Sequence, residues 1–250
     1  MTRLYCPVPV VLGEPFALPS AAARHAQVLR LQPGDPITLF DGQGGVWRAR
    51  VLAMGRQEVS ARAEAMQAVS ARPARAITLA VGMPANERMD WLIEKATELG
   101  VSGVVPLVTQ RTVVRLSGER ADKRLAHWQA IAAGACEQSG RDHLPRIEPV
   151  QALPQWLAGL KTPASGELRM RLSLAPGATH WMQCALAPDQ ALCAALGPEG
   201  GWSESEERAL EQAGFVPVSL GSTVLRAETA ALTVLARWAD AEPSTPAPAR

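Results

Sequence analysis

The chain has 250 residues, 47% of them hydrophobic and 20% charged, with a net charge of +1, which is ordinary globular usage and excludes a disordered or fibrous protein. No stretch approaches the roughly 20 uninterrupted apolar residues of a spanning helix, and the start, MTRLYCPVPV, lacks the features of a signal peptide, so no membrane partner and a cytoplasmic location are expected. Four cysteines, Cys6, Cys136, Cys184 and Cys193, stand without C-x-x-C spacing, which predicts buried thiols rather than a metal site or a disulfide framework.

Residues 1–72 read as short strands joined by tight turns. PITLF (36–40) and GVWRARV (45–51) flank DGQG (41–44), where Asp and Gly supply the positive φ angles of a hairpin turn. EVSARAEA (58–65) alternates after Gly55, so the segment predicts a small barrel or twisted sheet. One helix interrupts it: SAAARHAQVLRLQPGD (20–35) has Ser20 as N-cap, Val28 and Leu29 among its apolar positions and a Pro-Gly stop. Arg24, His25 and Arg30 are expected to project from it, and their clustering points to an anionic partner. SARPAR (70–75) has the composition of a linker, which places a domain boundary near residue 72.

Beyond it strands alternate with helices. AITLAVGM (76–83) is an apolar strand; NERMDWLIEKATELG (86–100) puts Met89, Leu92, Ile93, Ala96 and Leu99 on one helical face, with Asn86 to cap it and Gly100 to end it. A strand follows at 101–109, helices at about 120–138 and 150–160, and a strand in LRMRLSL (168–174). ALCAALGPEGG (191–201) is strand then loop, SESEERALEQAG (203–214) helix, FVPVSLG (215–221) strand and RAETAALTVLARWAD (226–240) the closing helix. This alternation predicts an α/β domain over 73–240 with a mainly parallel sheet covered on both faces, followed by a disordered tail at 241–250.

Charge is distributed unevenly. Residues 1–76 carry nine Arg against five acids, whereas residues 151–250 carry seven bases against ten acids. Of the 25 basic residues 22 are Arg, which binds phosphate bidentately and stacks on bases; the same richness also follows from coding bias, so position has to decide.

The stretch LGPEGGWSESE (196–206) combines a buried strand end, a stiffening Pro198, two glycines and a Ser203-x-x-Glu206 capping box. Gly200 and Gly201 therefore precede a helix N-terminus at a parallel strand's carboxyl end, where ligands bind. It is neither a Walker A nor a G-x-G-x-x-G motif, and Glu199, Glu204, Glu206 and Glu207 would repel polyphosphate; a neutral or cationic nucleoside-like ligand suits it better. A lone PEGG is an ordinary strand-to-helix turn. A second loop, LGSTVLRAETAA (220–231), repeats the arrangement with Arg226 and Glu228 at its mouth, and two such loops can clamp a small ligand.

Together GPEGGWSESE (197–206) and LGSTVLRAETAAL (220–232) closely resemble the C-terminal signature of the SPOUT methyltransferases, and more narrowly the RsmE group, the uracil-N3 methyltransferases of 16S ribosomal RNA. RHAQVLRLQPGD (24–35), LFDGQGG (39–45), IEKATELGVSGVVPLVTQRT (93–112) and GACEQSGRDHLPRI (134–147) are similar to segments of that group at corresponding places. The resemblance implies a SPOUT-type parallel sheet tied into a deep trefoil knot around S-adenosylmethionine, a homodimer with the knot at its interface, and a PUA-like RNA-binding β-barrel over 1–72. Pro84-Ala85 and Ala175 depart from the group, which often has basic or glycine-containing residues at the first place and His at the second.

On this resemblance the methyl donor lies against Leu174, Gly197, Pro198, Glu199, Gly200, Gly201, Leu220, Gly221, Leu225, Arg226, Thr229 and Ala230. Arg226 is the candidate for steadying negative charge on the uracil, with pairing to Glu228 or Glu199 as its structural alternative; Glu199 is a candidate base or loop-orienting carboxylate. Arg3, Arg24, His25 and Arg30 are candidate contacts to 16S rRNA in the small ribosomal subunit, with Arg88, Arg111, Arg115, Gln138 and Arg141 from the second domain. Two other readings remain open: an enzyme of the same fold acting on a ribose 2′-hydroxyl, and a non-catalytic ribosome-assembly protein.

Overall fold

The computed structural model describes residues 1–56, 58–84, 87–114, 116–160, 166–187 and 189–239. Ala85, Asn86, Arg115 and the 241–250 tail, all singled out in the sequence, lie outside the described residues. The chain forms two compact units, Met1–Arg72 with Ala133–Leu144, and Pro73–Ala132 with Pro145–Arg250.

The first unit is a five-stranded sheet in the order β1-β3-β4-β5-β2, made of β1 (Thr2–Tyr5), β2 (Pro15–Ala17), β3 (Pro36–Phe40), β4 (Gly45–Met54) and β5 (Val59–Val69). Helix α1 (Ser20–Val28) covers it. The turn between β3 and β4 forms because the Asp41 carboxylate accepts the Gln43 and Gly45 amides at 2.7 and 2.9 Å. Gly44, at φ +107°, is obligatory there: a Cβ would lie 2.4 Å from the Ser70 carbonyl oxygen.

Helix α1 is shorter than its sequence pattern. It starts after Pro19, without a side-chain cap from Ser20, and stops at Val28; Arg30 then turns the chain at φ 56°. The buried face is Ala22, Ala23 and Ala26, while Val28 and Leu29 are exposed. Small side chains let the helix lie close on Leu4, Ile37 and Val51, so the apolar residues near its end do not form its packed face.

A segment from far along the chain completes this unit. The sequence pattern places Ala133–Leu144 in the second domain, but it packs with the first unit. The Glu137 carboxylate accepts the Tyr5 amide at 2.8 Å and the His25 ring at 2.7 Å, Arg3 pairs with Asp142 at 2.6 Å, and Cys136 is buried against Phe40 and Val46.

The second unit is an eight-stranded sheet in the order β11-β13-β10-β12-β6-β7-β8, with β9 also on β7, and every pairing is parallel. The strands are β6 (Ile77–Gly82), β7 (Gly103–Val108), β8 (Arg146–Ile147), β9 (Gln151–Ala152), β10 (Leu168–Leu172), β11 (Thr179–His180), β12 (Leu192–Leu196) and β13 (Val216–Ser219). The helices are α2 (Arg88–Glu98), α3 (Glu119–Ser139), α4 (Leu153–Gly159), α5 (Glu204–Gln212) and α6 (Ala227–Trp238); the last turns of α3 belong to the first unit.

Alternation along the strands builds two cores. Ile77, Leu79 and Val81 of β6 and Leu192, Ala194 and Leu196 of β12 pack with α2, α3 and α6; Ala80, Cys193 and Ala195 face α4 and α5. On α2 the buried residues are Met89, Leu92, Ile93, Ala96 and Thr97; Leu99, expected on that face, is partly exposed at the C-cap, where Gly100 ends the helix at φ +93°.

Candidate active site

Strand β10 lies between β12 and β13, so the loops that leave β12 and β13 flank its carboxyl end. Together they enclose a cavity of about 470 Å³. Its lining is apolar at Leu172, Leu196, Val218 and Leu225; Gly197, Pro198, Glu199 and Gly201 line one side, and Leu220, residues 223–227 and Ala230 of α6 the other. This size and lining suit a small organic ligand.

The glycine wall is tightly built. Gly82, at the end of β6, leaves room for Pro198, because a Cβ there would lie 2.5 Å from the proline ring. The Gly201 amide donates to the Pro198 carbonyl at 2.8 Å, and Gly201 takes φ +68°. Ser203 and Glu206 then form the capping box: Glu206 accepts the Ser203 amide at 2.9 Å, and Ser203 Oγ accepts the Glu206 amide at 3.3 Å. The buried Glu206 also accepts the Gln110 amide at 2.7 Å.

The opposite wall is open in character. Arg226 is the N-cap residue of α6 and is exposed, and its guanidinium makes no hydrogen bond or ion pair with any described residue. Neither alternative partner holds it. Glu199 is paired with Arg88 at 3.0 Å, and Glu228 is buried with one carboxylate oxygen lacking a partner among the described residues.

Of the residues expected at the donor, Leu174, Gly197, Pro198, Glu199, Gly201, Leu220, Leu225, Arg226 and Ala230 line the cavity. Gly200, Gly221 and Thr229 are not among its lining residues: Gly200 sits under Arg111, and Thr229 is exposed. Leu172, Trp202 and Val218 line it without having been singled out, and so do Leu196 and Glu207, which were read as parts of the loop but not as donor contacts. Strand ends were readable as a rim, but which apolar residue faces the opening depends on register.

The arginines and the other candidate RNA contacts lie in different surroundings. Arg24 and Arg30 are exposed on the first unit. Arg3 and His25 are engaged in the internal pairs already described, and Arg3 also lies 4.9 Å from the Phe40 ring centroid. Arg88 and Arg111 contact the glycine loop. Gln138 and Arg141 belong to the first unit and are not among the cavity's lining residues; burial lowers the pKa of Arg141. Among the described residues no cluster of His, Cys, Asp and Glu is placed to hold a metal, and no helix is long and apolar enough to cross a membrane.

Two family models match this chain: an RNA methyltransferase domain over residues 71–239 and an RNA methyltransferase PUA domain over 18–64. The ribosomal RNA small subunit methyltransferase E of Synechocystis is 34% identical over 91% of this chain and 73% of its own length. The chain belongs to the ribosomal RNA small subunit methyltransferase E family. The Bacillus subtilis member is 30% identical, with 88% of each chain covered. A crystal structure of the Neisseria gonorrhoeae member bound to S-adenosyl methionine superposes with a TM-score of 0.85 at 35% identity, covering 95% of this chain and 96% of that one. A Legionella pneumophila protein in complex with the same cofactor gives 0.88 at 33% identity, with 95% and 96% covered. Like its family, this chain is an S-adenosylmethionine-dependent RNA methyltransferase. The cavity fits such a cofactor: its lining is largely apolar, and Gly197 and Gly201 leave bare main chain along one side.

Proposed function

We propose that this protein methylates N3 of a uridine in 16S rRNA of the small ribosomal subunit, with S-adenosylmethionine held in the cavity at the ends of β10, β12 and β13. The observation that carries the reading is the pair of loops facing each other across β10, one lined with glycine backbone and the other offering an unengaged guanidinium. Consecutive strands β12 and β13 lie on opposite sides of β10, a path that suits a trefoil knot around the donor. We further assign residues 1–72 as a PUA-like barrel, residues 73–240 as the methyltransferase domain, a homodimer as the working form and the cytoplasm as its place.

Leu174, Leu220, Leu225 and Ala230 hold the donor's apolar parts, and Gly197, Pro198 and Gly201 let it approach the main chain. S-adenosylmethionine supplies an electrophilic methyl group on a sulfonium. Uracil N3 must lose its proton to solvent and lie in line with that methyl, the donor leaving as S-adenosylhomocysteine, and N3 sits on the Watson–Crick edge, so the base has to be unpaired or extruded. Arg226 stabilises the negative charge left on the uracil oxygens as the N3 proton departs. Glu199, with one oxygen taken by Arg88, orients the loop. Arg24 and Arg30 attract phosphate from the first unit.

Methyl transfer from labelled S-adenosylmethionine to small subunits isolated from cells lacking the gene tests the reading, with mass spectrometry of the digested nucleosides. The expected product is 3-methyluridine, lost in Arg226→Ala. A 2′-O-methylated nucleoside keeps the enzyme and changes its target; RNA binding without transfer overturns catalysis.

A further inference from the structure

We propose that Arg111 is a positioning residue for the methyl-donor site: it sets the shape of the 198–202 loop and does not serve as a phosphate contact. The inference rests on reading the cavity as the donor site.

The bracing starts at the end of β7. Thr109 and Thr112, both buried, close a turn in which Thr112 Oγ1 accepts the Thr109 amide at 3.0 Å and lies 2.9 Å from Thr109 Oγ1. The turn presents Gln110 and Arg111 to the glycine loop. Gln110 donates its amide to Glu206 at 2.7 Å and its side-chain nitrogen to Ser205 Oγ at 3.0 Å. Arg111 donates from Nη1 to the Gly200 carbonyl at 2.7 Å.

Arg111 acts on one peptide plane. The carbonyl of peptide 200–201 is taken by Arg111, and its N–H, on Gly201, is taken by the Pro198 carbonyl at 2.8 Å. Both ends of that plane are engaged, which fixes Gly201 in its left-handed conformation at φ +68°. The aliphatic stem of Arg111 also covers Gly200, because a Cβ there would lie 3.1 Å from Arg111 Cβ and 3.3 Å from its Cδ. Pro198, Glu199 and Gly201 line the cavity while Gly200 does not, so the loop has an inner face for the ligand and an outer face held by Arg111. A loop held in its binding shape before the ligand arrives spares the ligand the cost of ordering it.

In the ligand-free protein, Arg111→Met should speed hydrogen exchange of the Gly201 amide about ten-fold, in line with loss of one charge-assisted bond. The dissociation constant for S-adenosylhomocysteine, by calorimetry, should rise about 5- to 10-fold on the same grounds. Arg111→Lys, which keeps one charged donor, should recover part of both effects. Binding to 16S rRNA should keep its salt dependence, whereas loss of a phosphate contact would reduce the log–log slope by about 0.9.

Gly200→Ala supplies a second route, since its methyl presses on the Arg111 stem without requiring a forbidden φ; it should reproduce the loss and be non-additive with Arg111→Met. Unchanged exchange and cofactor affinity in Arg111→Met, with a lower salt slope for RNA, would overturn the proposal. Leu225→Trp fills the cavity from the opposite wall. If it binds S-adenosylhomocysteine as well as wild type, the donor-site reading falls, while the exchange measurement still decides what Arg111 does to the loop.

Discussion

The two loops that face each other across β10 come from similar stretches of sequence, strand then glycine then helix, yet they are built differently. The 198–206 loop is held by a capping box, by the buried Glu206, by Gln110 and by two arginines. Among the described residues the 220–226 loop has only the local bonds between Ser219 and Gly221 before an uncapped helix start at Arg226, and Val224 is 80% exposed. One wall arrives preformed, and the other keeps its charged and apolar groups uncommitted. A site that must hold one ligand and admit a second, larger one benefits from that division, because only the second wall has groups left to engage the incoming base.

The sharpest way to break the comparison is Arg226→Ala. It should lower methyl transfer by about 10²–10³-fold, the range for removing one group that stabilises transition-state charge, while affinity for S-adenosylhomocysteine stays within about three-fold. A parallel loss of cofactor binding would make the second loop a wall like the first.

Next is Glu206→Ala, which removes the capping box and strands the Gln110 amide. Thermal unfolding should show a loss of about 2 kcal/mol, the sum expected for a cap and a buried bond in which one partner is removed. No such loss is expected for Ser222→Ala in the opposite loop, an exposed residue away from caps and the core, which should stay within about 0.5 kcal/mol.

Alkaline pH gives a smaller effect on the strand that feeds the first loop. Burial pushes the Cys193 thiol up to about 12, and Cys6 and Cys136 are raised by the same cause, Cys136 to about 11. These folded-state values lie above the unfolded thiol, so the protonated thiols' contribution is present below about pH 9 and is lost as pH rises toward 12. Stability should therefore fall across that window. Cys193→Ala should flatten the fall, and if the slope is unchanged the thiol is not its source.

Smallest of all, Val224→Ser should leave stability within about 0.5 kcal/mol, because the side chain is exposed and unpacked. Any change in catalysis there would report on what the open wall meets.

The local parts of this architecture were legible in the sequence. The Ser203–Glu206 cap was readable because its partners stand three residues apart on one turn, and the alternation of strands with helices after residue 73 predicted a parallel sheet covered on both faces. The pairing of loops followed from their repeated pattern. What the sequence could not disclose were contacts whose partners lie far along the chain. The pairs of Arg3 with Asp142 and of His25 with Glu137 were hidden because their partners are more than 100 residues away, and the bond from Arg111 to Gly200 because its partners are 89 residues apart. The place of Ala133–Leu144 in the first unit is of the same kind.

By itself the sequence determined most of the strand–helix alternation and the two glycine loops, since these rest on periodicity and short-range turn chemistry, while the family followed from the resemblance of the two glycine-loop segments. Tertiary structure alone decided which arginines are spent on the scaffold and which one is left at the cavity. A charged side chain is free or engaged according to what folding brings within about 3 Å of it, and that distance is written in no local stretch of the chain.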